Sequence, residues 1–397
     1  MRVAIVAVGK RTEHWEGLFR ALTRKPDLEL TVQVADVSEV AAERLGRLAE
    51  ESPNLDFRVA AHLLGEQATG HMASIVFRPP TLRRLRDFAP DVLHVIGEPA
   101  YLATFQAIRA RNRLLPHVPI THYAAQNVVT RFPWPFPLLE RYAYRHIDLA
   151  LPITPAALEV LRAKGYRGEA ETVPLGVDRA DFAPRAGAPE GPFTVGFVGR
   201  LEEHKGIADL MAARDRVGCR LLLVGDGSLR PWVEEQAERR PGLIEVVPWA
   251  DHSELPRLMA RMHALALPSV EVVQRNVAPW MRVPLREQFG RVLVEAMSCG
   301  VPVVASSVGE IPHVVGGGGV VVPPRDPAAL AQAVADLRDR PGSADRLSRL
   351  GLAQAARFDW ERIAEQLSGA WRRVAARPAT AGRRASVPEG RRAVSAR

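Results

Sequence analysis

The sequence predicts an α/β protein of two similar Rossmann-like domains, each a parallel sheet with helices on both faces. Three observations carry this. Short apolar runs alternate with helix-like segments along most of the 397 residues, the pattern of parallel sheets covered by helices on both faces. The candidate strands are nearly continuous Val, Ile and Leu, as strands buried on both faces must be. The series also restarts: FTVGFVG at 193–199 repeats the strand-to-glycine character of VAIVAVG at 3–9. A chain this long suits two cores better than one.

Taken in order, the expected strands are 3–8, 29–34, 92–96, 118–122 and 148–153, then 193–198, 220–224, 243–247, 264–267 and 301–305. Amphipathic helices are expected at 155–164 and 229–239, and a helix from about 290 to 299 stops at Gly300. Two more are expected at 343–357 and 359–376, the second with Asp359 as its N-cap. The Pro/Gly/Ala stretch PRAGAPEGP reads as a linker. The expected domains are therefore 1–183, linker 184–192, 193–358, a terminal helix 359–376 and a basic tail 377–397.

Composition narrows the class. Hydrophobic residues make 47% and charged residues 25%, the balance of a soluble globular protein. No run reaches the roughly 18 apolar residues of a membrane helix, and MRVAIVAVGK reads as a first strand and not a signal peptide. Two cysteines, Cys219 and Cys299, give neither a disulfide framework nor a metal-ligand spacing, so a reducing, cytoplasmic setting is expected. The net charge of +8 is mostly a tail property: residues 371–397 hold eight arginines and one acid, Glu389. The near-neutral remainder argues against a nucleic-acid partner. From Arg377 onward bulky apolar residues are scarce, so disorder is expected. The tail reads as a dispensable extension, with peripheral contact to acidic lipid on the inner face of the cell membrane as the competing role.

In open parallel sheets ligands gather at the carboxyl ends of strands, so the chemistry is expected in those loops. After 193–198 come Gly199, Arg200 and, five residues later, Lys205, just before a helix. A glycine admits a ligand to the backbone, and the two cations add a fork and a point charge for a phosphate at a helix N-terminus. Taken alone, most such pairs are simply exposed loop cations. Further on stands REQFGRVLVEAMSCG, 286–300. Glu287 is expected in the loop facing the cleft, and Glu295 in the second turn of the helix, among apolar neighbours. A buried acid there needs a partner, and the vicinal hydroxyls of a ribose are one answer. The N–H groups of Gly290, Arg291 and Val292 would face the phosphate.

Two glutamates seven residues apart, in EQFGRVLVEAMSCGVPVVAS, together with G-R-L-x-x-x-K-G at 199–206, resemble the signatures of retaining glycosyltransferase family 4, the glycosyl transferases group 1. Val224-Gly225-Asp226-Gly227, Pro268-Ser269, Gly309-Glu310-Ile311-Pro312, Pro90–His94 and Val173–Asp178 fall in the same order, so the resemblance covers about residues 1–375. It implies a GT-B architecture, two facing Rossmann-like domains with the ligand cleft between them, and transfer of a sugar from a nucleotide-sugar donor, a UDP- or GDP-sugar, to a hydroxyl acceptor (glycan, lipid or small molecule). The anomeric configuration would be retained, with no metal or other cofactor. By resemblance, Arg200 and Lys205 neutralise the diphosphate, Glu295 holds the ribose and Glu287 orients the donor sugar. His122 reaches that sugar from the first domain. Gly199, Phe289, Gly290, Arg291 and Val292 line the donor site, and Trp249 lies where the base is expected. Another enzyme on the same scaffold, an epimerase or phosphorylase, and a non-catalytic sugar-nucleotide binder are the alternatives. The ordered motifs weigh against the first, and the intact Arg200, Lys205, Glu287 and Glu295 set against the second. Three loops depart from the pattern: 9–15, 131–137 and 270–286, the last carrying Trp280. Local packing is the plainer reading of each. Gly316–Gly319 reads as a turn, because no Lys-Ser/Thr follows it.

Overall fold

The computed structural model describes residues 1–8, 15–64, 75–184, 187, 189–248, 250–275 and 282–377. The expectations for the loop 9–14, for Trp249 and Trp280, and for the tail beyond 377 lie outside these residues.

The first half builds a parallel sheet from β1 (Arg2–Val8), β2 (Glu29–Ala35), β3 (Leu55–Val59), β6 (Val92–Ile96), β7 (Ile120–Ala124), β8 (Leu149–Pro152) and β9 (Glu169–Ala170). A small antiparallel pair, β4 (His62–Leu64) and β5 (Val76–Phe77), stands apart from it. The spatial order is β3-β2-β1-β6-β7-β8-β9, so the winding reverses between β1 and β6. The second half repeats the plan with β10 (Thr194–Val198), β11 (Arg220–Val224), β12 (Ile244–Val247), β13 (Ala264–Leu267), β16 (Val303–Ser306) and β17 (Val320–Val322). Its order, β12-β11-β10-β13-β16-β17, reverses between β10 and β13. An antiparallel hairpin, β14 (Val272–Arg275) with β15 (Arg282–Leu285), is inserted after β13. Open sheets of this kind bind ligands at the switch point, where neighbouring loops diverge.

One strand starts later than its apolar run suggests. Pro119 has no N–H to give the ladder, so β7 begins at Ile120 and runs to Ala124, and His122 falls at its centre rather than at its end. The four glycines 316–319 form a turn leading into β17. A Cβ on Gly319 would stand 2.4 Å from the Val303 side chain, so close packing accounts for that glycine without any ligand.

The chain returns to its start at the end. Asp359 accepts from the Glu361 N–H and caps the helix Trp360–Ala375, which packs on the first sheet and not the second. Trp360, Ile363, Leu367, Trp371 and Val374 are buried there against Leu18, Leu22, Tyr123 and Leu151. The crossing is fixed by the Val177 N–H, which donates to Phe358 O at 2.8 Å. Arg372–Asp27 and Lys25–Glu365 ion pairs fringe the contact. No described helix is long and apolar enough to cross a membrane.

Candidate active site

The second sheet's switch point assembles a charged cluster from three loops. After β10 the chain makes a single 3-10 turn, Glu203–Lys205, and passes through Gly206 into the helix Ile207–Val217. Gly206 has φ +69°, and a Cβ there would stand 1.9 Å from Pro268 O. Only glycine lets this loop lie against the one after β13. The Val270 N–H then donates to His204 O at 2.8 Å and locks the two loops together. Lys205 and Ser269 thus converge on one acid from a third loop. Lys205 Nζ donates to Glu287 Oε2 at 2.5 Å and Ser269 Oγ to the same oxygen at 3.2 Å.

Glu287 is also gripped by its backbone. Its carbonyl accepts from Asn127 Nδ2 at 2.9 Å, across the cleft from the first domain, and from the Glu310 N–H at 3.2 Å. Gly309, at φ +57°, lies so close that a Cβ would sit 2.1 Å from that carbonyl. Beside this point a cavity of about 430 Å³ opens between the domains, lined by Asn127 and Ala156 on one side and Arg286, Gly309, Glu310 and Arg325 on the other.

The electrostatics follow from burial and neighbours. Burial pushes the Glu287 carboxyl up, but the Lys205 ammonium, the hydrogen bonds from Lys205 and Ser269, and His204 outweigh it, and the net shift is down. Burial, Lys205 and Arg200 push His204 down to about 4, so its ring is neutral at neutral pH. A depressed folded pKa means that ionised Glu287 adds stability above the ordinary carboxylate value of 4.5, and that this stability is lost as pH falls through the lower folded value. Glu287→Gln should therefore flatten the acid limb of the stability profile. Urea midpoints from neutral pH to about pH 3 measure it, and a limb as steep as the parent's would show that the pair carries no linkage.

The helix Arg291–Ser298 starts beside this cluster, with Gly290 at φ +74° as its N-cap. Its N-terminal dipole end therefore faces the side on which Lys205 and Glu287 meet. Leu293, Val294, Ala296 and Met297 fill the core, and Glu295, 3% exposed, is buried among them. Its partner is on its own helix: Arg291 Nε lies 2.9 Å from Oε1, with His252 Nε2 at 3.8 Å. Oε1 nonetheless has no aligned hydrogen bond, so the ion pair leaves acceptor capacity unused.

The other expected residues are placed as follows. Gly199 directly follows β10, and Arg200 after it is exposed. Val292 packs at the edge of the core. Phe289 does not offer its ring to the cleft: it is 3% exposed and stacks edge-on against Phe358, centroids 5.5 Å apart. Only its backbone can face a donor. His122 is fully buried in the first sheet, and burial pushes it down to about 4. Neither ring nitrogen is aligned with a partner, although Gly97 is near. The structure therefore brings Lys205 and Glu287 together, pairs Glu295 with Arg291 on the helix that follows, and leaves His122 inside the first domain. Ser269, Asn127, His204 and His252 join the site without having been expected in it. Pro268-Ser269 after a strand was the one visible signal among these.

Comparison with known proteins bears on the fold and the family. The family model for glycosyl transferases group 1 matches residues 192–340. A phosphatidyl-myo-inositol mannosyltransferase of Mycobacterium leprae is 30% identical over 374 residues, covering 87% of this chain and 92% of that protein. A glycogen synthase of Mycobacterium tuberculosis is 34% identical over 200 residues, 48% of this chain and 45% of its own. The match thus spans about half the length of the glycogen synthase. Among solved structures, HepE of Anabaena in complex with UDP superposes with a TM-score of 0.69 at 19% identity, covering 94% of this chain and 100% of that one. Sucrose-phosphate synthase of Thermosynechococcus elongatus gives 0.70, also at 19%, over 94% and 98%.

Proposed function

Because the chain belongs to the glycosyl transferases group 1, we infer that it moves a sugar from a nucleoside diphosphate donor to a hydroxyl acceptor. The observation that carries this is the junction of Lys205, Ser269 and Glu287 at the switch point, where an ammonium and a carboxylate share one cleft. Bond breaking puts positive character on the anomeric carbon and extra negative charge on the diphosphate. Lys205 has three donors, so it can keep Glu287 and still face phosphate oxygens, with Arg200 five residues earlier in the same loop. Groups already aimed at developing charge are the largest lever in such sites, about 3–4 kcal/mol per donor lost.

Glu287 then serves as the carboxylate at the reacting sugar, positioned by Asn127 and Glu310 through its backbone. The unused acceptor capacity of Glu295 suits a ribose. We further propose retention of configuration, with the leaving phosphate taking the acceptor's proton on the same face, and turnover without a metal, since Arg200 and Lys205 supply the neutralising charge. Residues 1–183 would contribute the acceptor side and 193–358 the donor side. Cys219 and Cys299 are both buried, and the proposed setting is reducing and cytoplasmic.

A thermal-shift screen with UDP-, GDP- and ADP-sugars tests the reading. A true donor at about 100 times its dissociation constant adds about 2.7 kcal/mol, and the stabilised donor should release its diphosphate on incubation with acceptors. Turnover should survive a chelator. No shift with any of the three sinks the donor assignment, and activity lost to chelation but restored by magnesium sinks the metal-free one.

A further inference from the structure

We propose that the surface made by the loop after β7 and the helix Phe136–His146 docks on an anionic phospholipid bilayer. The loop divides its aromatic residues between two directions. Phe132 is buried, its ring centre 5.2 Å from Lys164 Nζ and 5.9 Å from the Phe136 ring. Trp134, two residues on, is 80% exposed, with Leu138 at 49% and Val129 at 48%. An indole held out in water forgoes the burial that its size favours, whereas at a headgroup boundary both its ring and its N–H are satisfied.

Charge completes the surface. Leu138, Arg141 and Arg145 follow at i, i+3 and i+7 and so share one helix face, and all three are exposed, as is Arg131. The stretch 128–146 contains one acid, Glu140, and the fold withdraws it: its side chain is 12% exposed and paired with Lys164 at 2.6 Å. The exposed side chains of this segment therefore include three guanidiniums, a tryptophan and a leucine, and no carboxylate. That combination matches acidic headgroups above an acyl layer. It fits a protein partner poorly, because a stable protein interface needs roughly 1,000 Å² of matched surface and few apolar side chains stand out here. Trp134 lies seven residues beyond Asn127, at most about 25 Å of chain from the residue that holds Glu287. Docking here sets the cleft mouth close to the lipid.

Sedimentation of the full-length protein with vesicles of phosphatidylcholine, alone or with about a third phosphatidylglycerol, tests this. The parent should bind the anionic vesicles. Replacing both arginines (Arg141→Gln with Arg145→Gln) should lower the partition coefficient on the order of 25-fold, from about 1 kcal/mol per arginine. Trp134→Ser should lower it by roughly tenfold. All the altered side chains are exposed, so unfolding midpoints should stay at the parent's value. A parent that binds no vesicle overturns the proposal. So does binding that both variants retain in full, which would assign it to the arginines beyond residue 377.

Discussion

Glu287→Gln should lower kcat by on the order of tenfold or more, about 1.4 kcal/mol, while the affinity for free nucleoside diphosphate holds or rises. The amide keeps the shape of the side chain but loses the charge that faces the anomeric carbon as it becomes positive. It also releases Lys205, 2.5 Å away, to give its full charge to the phosphates. Glu295→Gln supplies the contrast. Its change lies at the proposed ribose contact, present in ground and transition states alike, so it should raise the donor KM and weaken free diphosphate binding with little effect on kcat. Calorimetry and steady-state kinetics on the pair decide the matter. Equal losses of diphosphate binding would show that the two acids do not have separate roles.

Trp371→Ala should produce the largest loss of stability. The side chain is fully buried and meets the His94 ring edge-on at 5.3 Å, and truncating a buried tryptophan typically costs 3–5 kcal/mol. Against the usual domain stability of 5–15 kcal/mol, that is a large share. The damage should fall on the first domain although the residue lies near the end of the chain. Limited proteolysis should open sites before residue 183 first, while diphosphate binding by the second domain persists at low temperature. Early cleavage within 193–340 would instead mean that the terminal helix supports the second core.

Legibility in the sequence followed burial. The central strands of both sheets were readable because strands covered on both faces are nearly unbroken apolar runs, as in Leu-Leu-Leu-Val at 221–224 and Ala-Leu-Ala-Leu at 264–267. Of the edge strands, β12 was readable as 243–247, whereas β3, β9 and β17 were not. Leu55–Val59 exposes most of its side chains, so it lacks that signature, and β9 spans two residues. In the site, Lys205 and Glu287 were readable as motif residues though 82 positions apart. Asn127 and His204 were not, because their importance arises only where the loops after β7, β10 and β13 are brought together. Arg291 was expected to offer its backbone, and its side chain turned out to answer the charge of Glu295. Phe289 was expected at the donor and its ring belongs to the core, since an aromatic residue beside a glycine N-cap reads the same whichever way it turns.

The return of the terminal helix to the first sheet has a consequence for how the protein is made. Domains synthesised first generally fold first, but here the first domain's core includes Trp360, Leu367 and Trp371. A ribosome must therefore translate the whole second domain before the first can close. Until then the face formed by Leu18, Leu22 and Tyr123 stays open to solvent, and the second domain, with all its strands already made, completes its own core ahead of the one that precedes it.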